Sequence, residues 1–458
     1  RKEMNIMEFE NQKHSEEYRN IKALMEESIE AENFQEAYSH MRQLLDYPSV
    51  SYLDQIWDEI LPLFKKILEK LIGKRLNEII DHLREDPKNV NILYDLGYNL
   101  FEEGAYSIAA TFLKKANDLQ PNNESIITEL AITLEALMLN EEAIRILENS
   151  PDLLKESELC QYLLAFNKLM TGNIKESKEI SEDLYRSSNH DIRVMAESLK
   201  GIIKRAESLK KKGFLDKNNL RGWHLVLNGT ILLHTSPYGL EDSMHGRYAY
   251  ISDNYALCNH GIKIMEKVLK KLDIQIPRIL ALSDRSSQIL AHAASQIMEL
   301  PLANWIDVSL QTPGLIVCYD LDRIQSSEVI TEISEHRPQQ ILWGHASCWT
   351  NPFPFSPDIT TFLYQHNVAP WARGHMVYNS ETNNVNLSES DESAVQKLAK
   401  KIIKSEGAAN FDDNLDDIIK LVQSVSDLDE KSTIGLYRSK GSRYHQRAGS
   451  PVKSNRFF

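Results

Sequence analysis

In the first half of the chain, apolar residues recur every three to four positions; in the second half they gather into short runs. Ala37, Met41 and Leu44 fall at i, i+4 and i+7, one face of a helix that Tyr47-Pro48 closes. Ile56, Ile60, Leu61, Phe64, Ile67, Leu68 and Leu71 predict another helix, which Pro62 either kinks or restarts. From Trp223 the pattern changes. Residues 224–227 and 230–233 read as strands around Asn228-Gly229, a favoured two-residue hairpin turn. Runs at 278–282, 314–319 and 340–343 predict buried strands, and helical spacing at 259–271, 288–299 and 326–335 separates or precedes them. Strands alternating with helices imply parallel pairing in a doubly wound α/β domain. Residues 381–393 are polar and loop-like, 394–425 helical, and 427–458 poor in aliphatics, which predicts a disordered tail.

Between Val90 and Leu184 the helical pattern repeats. With Val90 as position one, Leu96-Gly97 fall at seven and eight, Ala109 at twenty, Ala116 at twenty-seven and Pro121 at thirty-two. A second register from Glu124 gives Leu130-Ala131 and Ala143 at the same offsets. A third from Glu158 gives Leu164-Ala165 and then Gly172, with Ser177 at position twenty. Small residues let paired helices approach closely, and Pro121 ends the second helix. This period and pattern resemble tetratricopeptide repeats. The resemblance implies a helical-repeat solenoid that docks a protein partner, with residues 180–212 as a capping helix.

The fold class expected is therefore α + α/β: an N-terminal helical-repeat solenoid followed by a doubly wound α/β domain. The boundaries read as N-terminal helices at 1–75, repeats at 76–215, the α/β domain at 216–380, and an acidic helix plus basic tail at 381–458. With 458 residues and 42% apolar content, the chain can fill several cores. A net charge of −14 argues against nucleic-acid binding by the whole molecule. The exception is the tail, where Arg438, Lys440, Arg443, Arg447, Lys453 and Arg456 follow Leu436 without an acid. Cys160, Cys258, Cys318 and Cys348 show no zinc spacing, which fits a reducing, cytoplasmic compartment. No apolar run is long enough to span a membrane, and Arg1-Lys2-Glu3-Met4 leads into sequence without an apolar signal region.

In an open α/β domain, ligands bind beyond the carboxyl ends of the strands. Three loops lie there. In the first, Ser283, Asp284, Arg285, Ser286 and Ser287 lead into a helix, as an anion site or as a helix cap. In the second, Asp320 and Asp322 follow a buried strand and are placed to hold Mg²⁺ or sugar hydroxyls, or to form a charged loop with Arg323. These two loops resemble the pyrophosphate turn and acidic strand of type I phosphoribosyltransferases. The resemblance implies a phosphorylated sugar or nucleotide ligand, with Asp320 and Asp322 on metal or hydroxyls and Arg285 on phosphate. Two departures imply lost catalysis: Leu321 splits the acids, and residues 323–327 contain no glycine to wrap a phosphate. The third loop, 344–350, offers His345 and Cys348 as a thiol–imidazole pair, or as a packed loop with a buried Cys.

Nine of the fourteen histidines lie between His224 and His375, yet none shows HxxxH or HxH spacing. A metal site would need convergence over long distances in sequence. The stretches at 236–240 and 244–248, with His245 and Arg247, suit a ligand-facing loop or a packed hairpin. Three functions follow: a scaffold whose α/β half binds a ligand without turnover, a phosphoribosyl- or glycosyl-type transferase acting on a macromolecule, and a thiol enzyme using Cys348 with His345.

Overall fold

A computed structural model describes residues 6–50, 52–238, 244–379, 384–407, 411, 413–454 and 456. The expectations for Arg1-Lys2-Glu3-Met4, Gly239-Leu240, residues 381–383 and Phe457-Phe458 lie outside them. The chain divides into two compact units, residues 1–168 with 179–193, and residues 169–178 with 194–458.

The first unit is helical. Its elements are α1 (Ile6–Glu30), α2 (Phe34–Leu45), α3 (Leu53–Ile72), α4 (Asn77–Glu85), α5 (Val90–Glu102), α6 (Tyr106–Leu119), α7 (Glu124–Ala136), α8 (Asn140–Glu148) and α9 (Pro151–Glu156). They are followed by α10 (Glu158–Met170) and α11 (Ile174–Ser181), which run across the division. Each register opens on the same device. Asn89 and Asn123 accept from the backbone N–H of Ile92 and Ile126, and the Ser157 hydroxyl accepts from that of Cys160. These side chains satisfy amides that the helix cannot pair internally. Gly97 marks where α5 crosses α6: a Cβ there would come within 2.6 Å of Leu113 Cγ. Pro62 sits inside the continuous α3. One core runs from Tyr18 of α1 to Ile126 of α7, so the N-terminal helices and the first repeats share apolar packing.

The second unit is built on a parallel sheet. Its helices are α12 (His190–Lys211, in this unit from Val194), α13 (Leu220–Asn228), α14 (Tyr255–Lys271), α15 (Arg285–Ile297), α16 (Ser327–Ile333), α17 (Val395–Lys404) and α18 (Leu415–Gln423). The strands are β1 (Ile231–Leu232), β2 (Tyr248–Ser252), β3 (Ile279–Ala281), β4 (Leu302–Asn304), β5 (Gly314–Asp320), β6 (Gln340–Cys348) and β7 (Ile359–Val368). They run in the order β1-β7-β6-β5-β3-β4, with β2 also on β7 and every pairing parallel. A small antiparallel pair, β8 (Met376–Asn379) and β9 (Asn384–Leu387), lies apart. The expected α + α/β architecture is what the chain adopts.

Three local expectations are corrected. Residues 224–227 are not a hairpin strand but part of α13, whose C-terminus is closed by Gly229 at φ 63°. A left-handed glycine serves a hairpin turn and a helix end equally well. The helix is buried almost all round, which removes the polar face that would reveal its period. Residues 344–348 are not a loop but the end of β6, all nine residues of which are buried. The tail is not disordered among its described residues. Ile434 and Val452 are fully buried, Gly435 N–H donates to Gly229 O at 2.9 Å, and Ser356 N–H donates to Tyr444 O at 2.8 Å.

Several of the tail's basic residues hold it down. Arg443 lies in the interior and donates to Asp358 Oδ1 at 2.5 Å and Ile333 O at 2.8 Å. Arg447 donates to Leu227 O, and Arg438 stacks over Tyr444. From α12, the buried Arg205 donates to Val226 O at 2.8 Å and Ser432 O at 3.0 Å. Arg443 and Arg447 are so engaged, while Lys440 and Lys453 stay exposed. Aliphatic scarcity misled here because charged side chains pair with buried backbone carbonyls and one carboxylate.

Candidate functional site

In sequence, β3 precedes β4 and β5, yet in space it lies between them, so the order of connections reverses between β3 and β5. The chain leaves β3 into α15 and leaves β5 into α16. Ile333 of α16 packs with Leu280, Ile316, Cys318 and Leu342 on one face. Tyr319, next along β5, faces the opposite way, toward Asp253 before α14 and toward His345. At such a reversal, the loops diverge to opposite faces and leave a crevice beyond the strand ends. The loops at Ser283–Ser287 and at Asp320–Asp322 lie at this reversal.

Asp320 is the last residue of β5, and a tight turn (Leu321–Arg323) follows. The turn compensates for the intervening Leu321. Tyr364 Oη of β7 donates to Asp320 Oδ2 at 2.7 Å and also reaches Asp322 Oδ2 at 3.3 Å. Asp320 is 1% exposed, and burial pushes its carboxyl up to about 7. Asp322 adds to the rise, while Tyr364, Arg323 and the Asp322 N–H oppose it. Burial raises Asp322 as well. Two carboxylates that resist ionisation side by side are suited to a shared proton or a cation.

The neighbouring turn is committed to the fold. Asp284 caps α15 by accepting from Ser287 N–H at 2.9 Å. The Ser287 hydroxyl accepts from Tyr319 N–H, and the Ser286 hydroxyl from Trp371 Nε1–H. Arg285 donates to the carbonyls of Asp391 and Ser393 at 2.8 and 2.9 Å. Ser283 stays exposed. The cap is thus formed, and Arg285 is directed to backbone carbonyls.

His345 and Cys348 are not brought together. Three residues apart on a strand, they emerge on opposite faces. Cys348 Sγ lies 3.5 Å from Thr350 Oγ1, and His345 Nε2 lies 3.2 Å from Asp253 Oδ2. Asp253 Oδ2 also accepts from Tyr319 Oη at 2.7 Å and from Cys258 Sγ at 3.5 Å. Burial raises the Cys258 thiol well above its ordinary value, so it sits in this cluster as a hydrogen-bond donor. The thiol route through Cys348 lacks its imidazole partner.

Arg247 is also consumed. It is buried, donates to Ser450 Oγ at 2.6 Å and to Val452 O, and stacks over Trp349. Burial lowers it to about 9. His245, at φ 44°, turns the chain beside a cleft of about 300 Å³ that Arg221, Thr235 and Asp417 also line.

The sequence reading missed two convergences, the Asp253–Cys258–His345 cluster and a second one of His234, His260 and Asp413. Histidine enrichment was the only signal. His260 and Asp413 meet across 153 residues, beyond any local spacing rule.

No family model matches the chain, and no curated protein matches it. Among solved structures it is similar to pilF of Pseudomonas aeruginosa, at 15% identity and TM-score 0.26, over 44% of this chain and 87% of that one. It is similar to a tetratricopeptide repeat protein from Parabacteroides merdae, at 15% identity and TM-score 0.25, over 43% of this chain and 89% of that one. A purine phosphoribosyltransferase from Pyrococcus horikoshii matches at 16% identity and TM-score 0.22, over 29% of this chain and 99% of that one. Among the described residues, no helix is long and apolar enough to cross a membrane.

Proposed function

We propose that this chain is a protein-interaction scaffold whose helical repeats hold a basic, partly apolar polypeptide segment. One observation carries the reading. The residues at offsets five and nine of the three registers are Tyr94 and Tyr98, Thr128 and Ile132, and Tyr162 and Phe166. The rings of the first and third pairs each stack at 6.3 Å. Tyr98 is 42% exposed. Beside this row, burial raises the Glu129 carboxyl, and Glu102 raises it further. A cationic side chain would relieve that repulsion, and aromatic rings accept cations and alkyl stems.

The test is fluorescence anisotropy with a labelled peptide of alternating Lys and Leu, set against its Glu-for-Lys counterpart. The basic peptide should bind, the acidic one should not, and Tyr98→Ala should weaken binding roughly tenfold or more. Equal binding of both peptides would sink the charge argument. An unchanged affinity in Tyr98→Ala would remove the aromatic row.

For the sheet-bearing unit, the carboxylate pair at the strand reversal favours a second reading. Asp320 and Asp322 would hold Mg²⁺ together with a hydroxyl or phosphate of a sugar ligand, without turnover. The engaged Arg285 and the glycine-free 323–327 stretch weigh against transfer chemistry of the phosphoribosyl type. The raised Asp320 fixes the sign of a test. The folded state holds this proton where the unfolded chain has released it, so its contribution to stability is complete below about pH 4 and is lost as pH rises toward about 7. A bound cation would replace the proton. Added Mg²⁺ with ribose 5-phosphate should therefore raise Tm at about pH 8 more than at about pH 5, and Asp320→Asn should abolish the difference. A Tm indifferent to Mg²⁺ at both values would remove the metal from this site.

A further inference from the structure

We propose that His234, His260 and Asp413 form a binding site for a divalent transition-metal ion of the zinc class. The three come from separate places: the segment after β1, the first turns of α14, and the stretch before α18. Their donor atoms meet at one point. His234 Nδ1 lies 2.6 Å from Asp413 Oδ2, and His260 Nε2 lies 2.9 Å from the same oxygen. The three ligand atoms all fall within 4.8 Å of one another. Two imidazoles and a carboxylate are a donor set that zinc and its neighbours favour, with a further position left for water.

The surroundings resemble an outer shell. Metal-bound histidines commonly use the second ring nitrogen in a hydrogen bond that fixes the tautomer. Here His234 Nε2 lies 2.8 Å from Tyr248 Oη, so the ring can donate there and leave Nδ1 as a lone-pair donor. Arg221 binds the other carboxylate oxygen, Asp413 Oδ1, and donates to Leu233 O, which orients Oδ2 toward the rings. Phe411 packs against both imidazoles, with ring centroids 5.2 and 4.8 Å away, an apolar neighbour to the site. His234 and Asp413 side chains are 3% and 2% exposed and His260 is 21% exposed, so one side is reachable from solvent. Arg221 also lines the neighbouring cleft with Thr235 and His245. The other His/Cys/Asp cluster is closed. Its His345 and Asp253 side chains are fully buried, and a Cβ on Gly261 would lie 3.0 Å from His345 Nδ1.

Without a metal, both ring N–H groups would donate to the same oxygen. A bound metal would take the lone pair of one nitrogen on each ring, and the ring proton would then sit on the other nitrogen, for His234 the one facing Tyr248 Oη. The experiment uses the full chain, stripped with a chelator and dialysed, then titrated with Zn²⁺ against a chromophoric competitor and with Co²⁺ by visible absorption. One Zn²⁺ per chain is expected. His260→Gln keeps a hydrogen-bond donor to Asp413 but lacks the imidazole lone pair. It should lose affinity by at least the roughly 10–100-fold that loss of an outer-shell partner costs. Its unchanged circular dichroism would separate ligand loss from misfolding. Tyr248→Phe should weaken binding by a smaller factor while leaving one site per chain. No uptake by the stripped chain, or uptake that His260→Gln leaves unchanged, overturns the proposal.

Discussion

Arg443→Ala is expected to destabilise the sheet-bearing unit by about 3–5 kcal/mol, the cost of leaving one half of a buried ion pair without the other. Arg443 and Asp358 side chains are each 1% exposed. Asp358 Oδ2 also accepts from Leu342 N–H at 2.8 Å in the middle of the sheet, and Arg443 Nε donates to Ile333 O. The pair therefore ties the C-terminal segment to β6 and α16 at once. His336 Nδ1 lies 3.6 Å from Asp358, and burial, with Arg443 and Arg438, lowers that histidine to about 4 while Asp358 opposes the fall. Asp358→Ala should cost a similar amount. The double substitution should cost less than the sum, since neither charge is then stranded. Urea unfolding reads the change through the five tryptophans of this unit, Trp223, Trp305, Trp343, Trp349 and Trp371. A midpoint unmoved by Arg443→Ala would mean that the tail is not docked in solution.

Phe112→Ala should cost the helical unit about 3–5 kcal/mol. Phe112 is fully buried, with ring centroids 5.4 Å from Trp57 and 5.9 Å from Phe64. Both partners belong to α3, before the first clear repeat, whereas Phe112 belongs to α6 within it. The substitution leaves a void that neighbouring helices fill only in part, and it removes two stacked pairs. Trp57 is the only tryptophan of the first unit, so its emission reports this core directly. One core spans α1 to α7, so the loss should lower the unfolding midpoint of the N-terminal helices and the repeats together. Separate transitions, with Trp57 melting independently of the repeats, would show that residues 1–75 fold as their own domain.

Repeat hairpins were legible because each uses the same short-range chemistry. Small residues sit at the crossing, and the structure adds side-chain caps from Asn89, Asn123 and Ser157 that the pattern did not single out. The parallel strands β3, β5 and β6 were legible as apolar runs, since burial on both faces erases alternation, whereas β2, β4 and β7 were not read. The same erasure hid α13, whose apolar surface is covered all round. Asp320 and Asp322 were visible as a strand end followed by acids. That they share Tyr364 was not, because β7 supplies the hydroxyl from 44 and 42 residues away. Arg285 and Arg247 read as ligand-facing because an isolated arginine gives no sign of the carbonyls it will meet. Residues 391, 393 and 452 supply them.

By itself, the sequence determined what nearest neighbours along the chain control: the helical repeat, the βα alternation, and the placing of polar residues at strand ends. These depend on spacing over a few residues, where side-chain direction follows from backbone geometry. Only the tertiary structure decided which polar groups meet. It spent Arg443 on Asp358, turned His345 away from Cys348, and drew His234, His260 and Asp413 together. Such pairings are fixed by sheet order and by the path of the C-terminal segment, and a buried polar group takes whichever partner packing brings within reach.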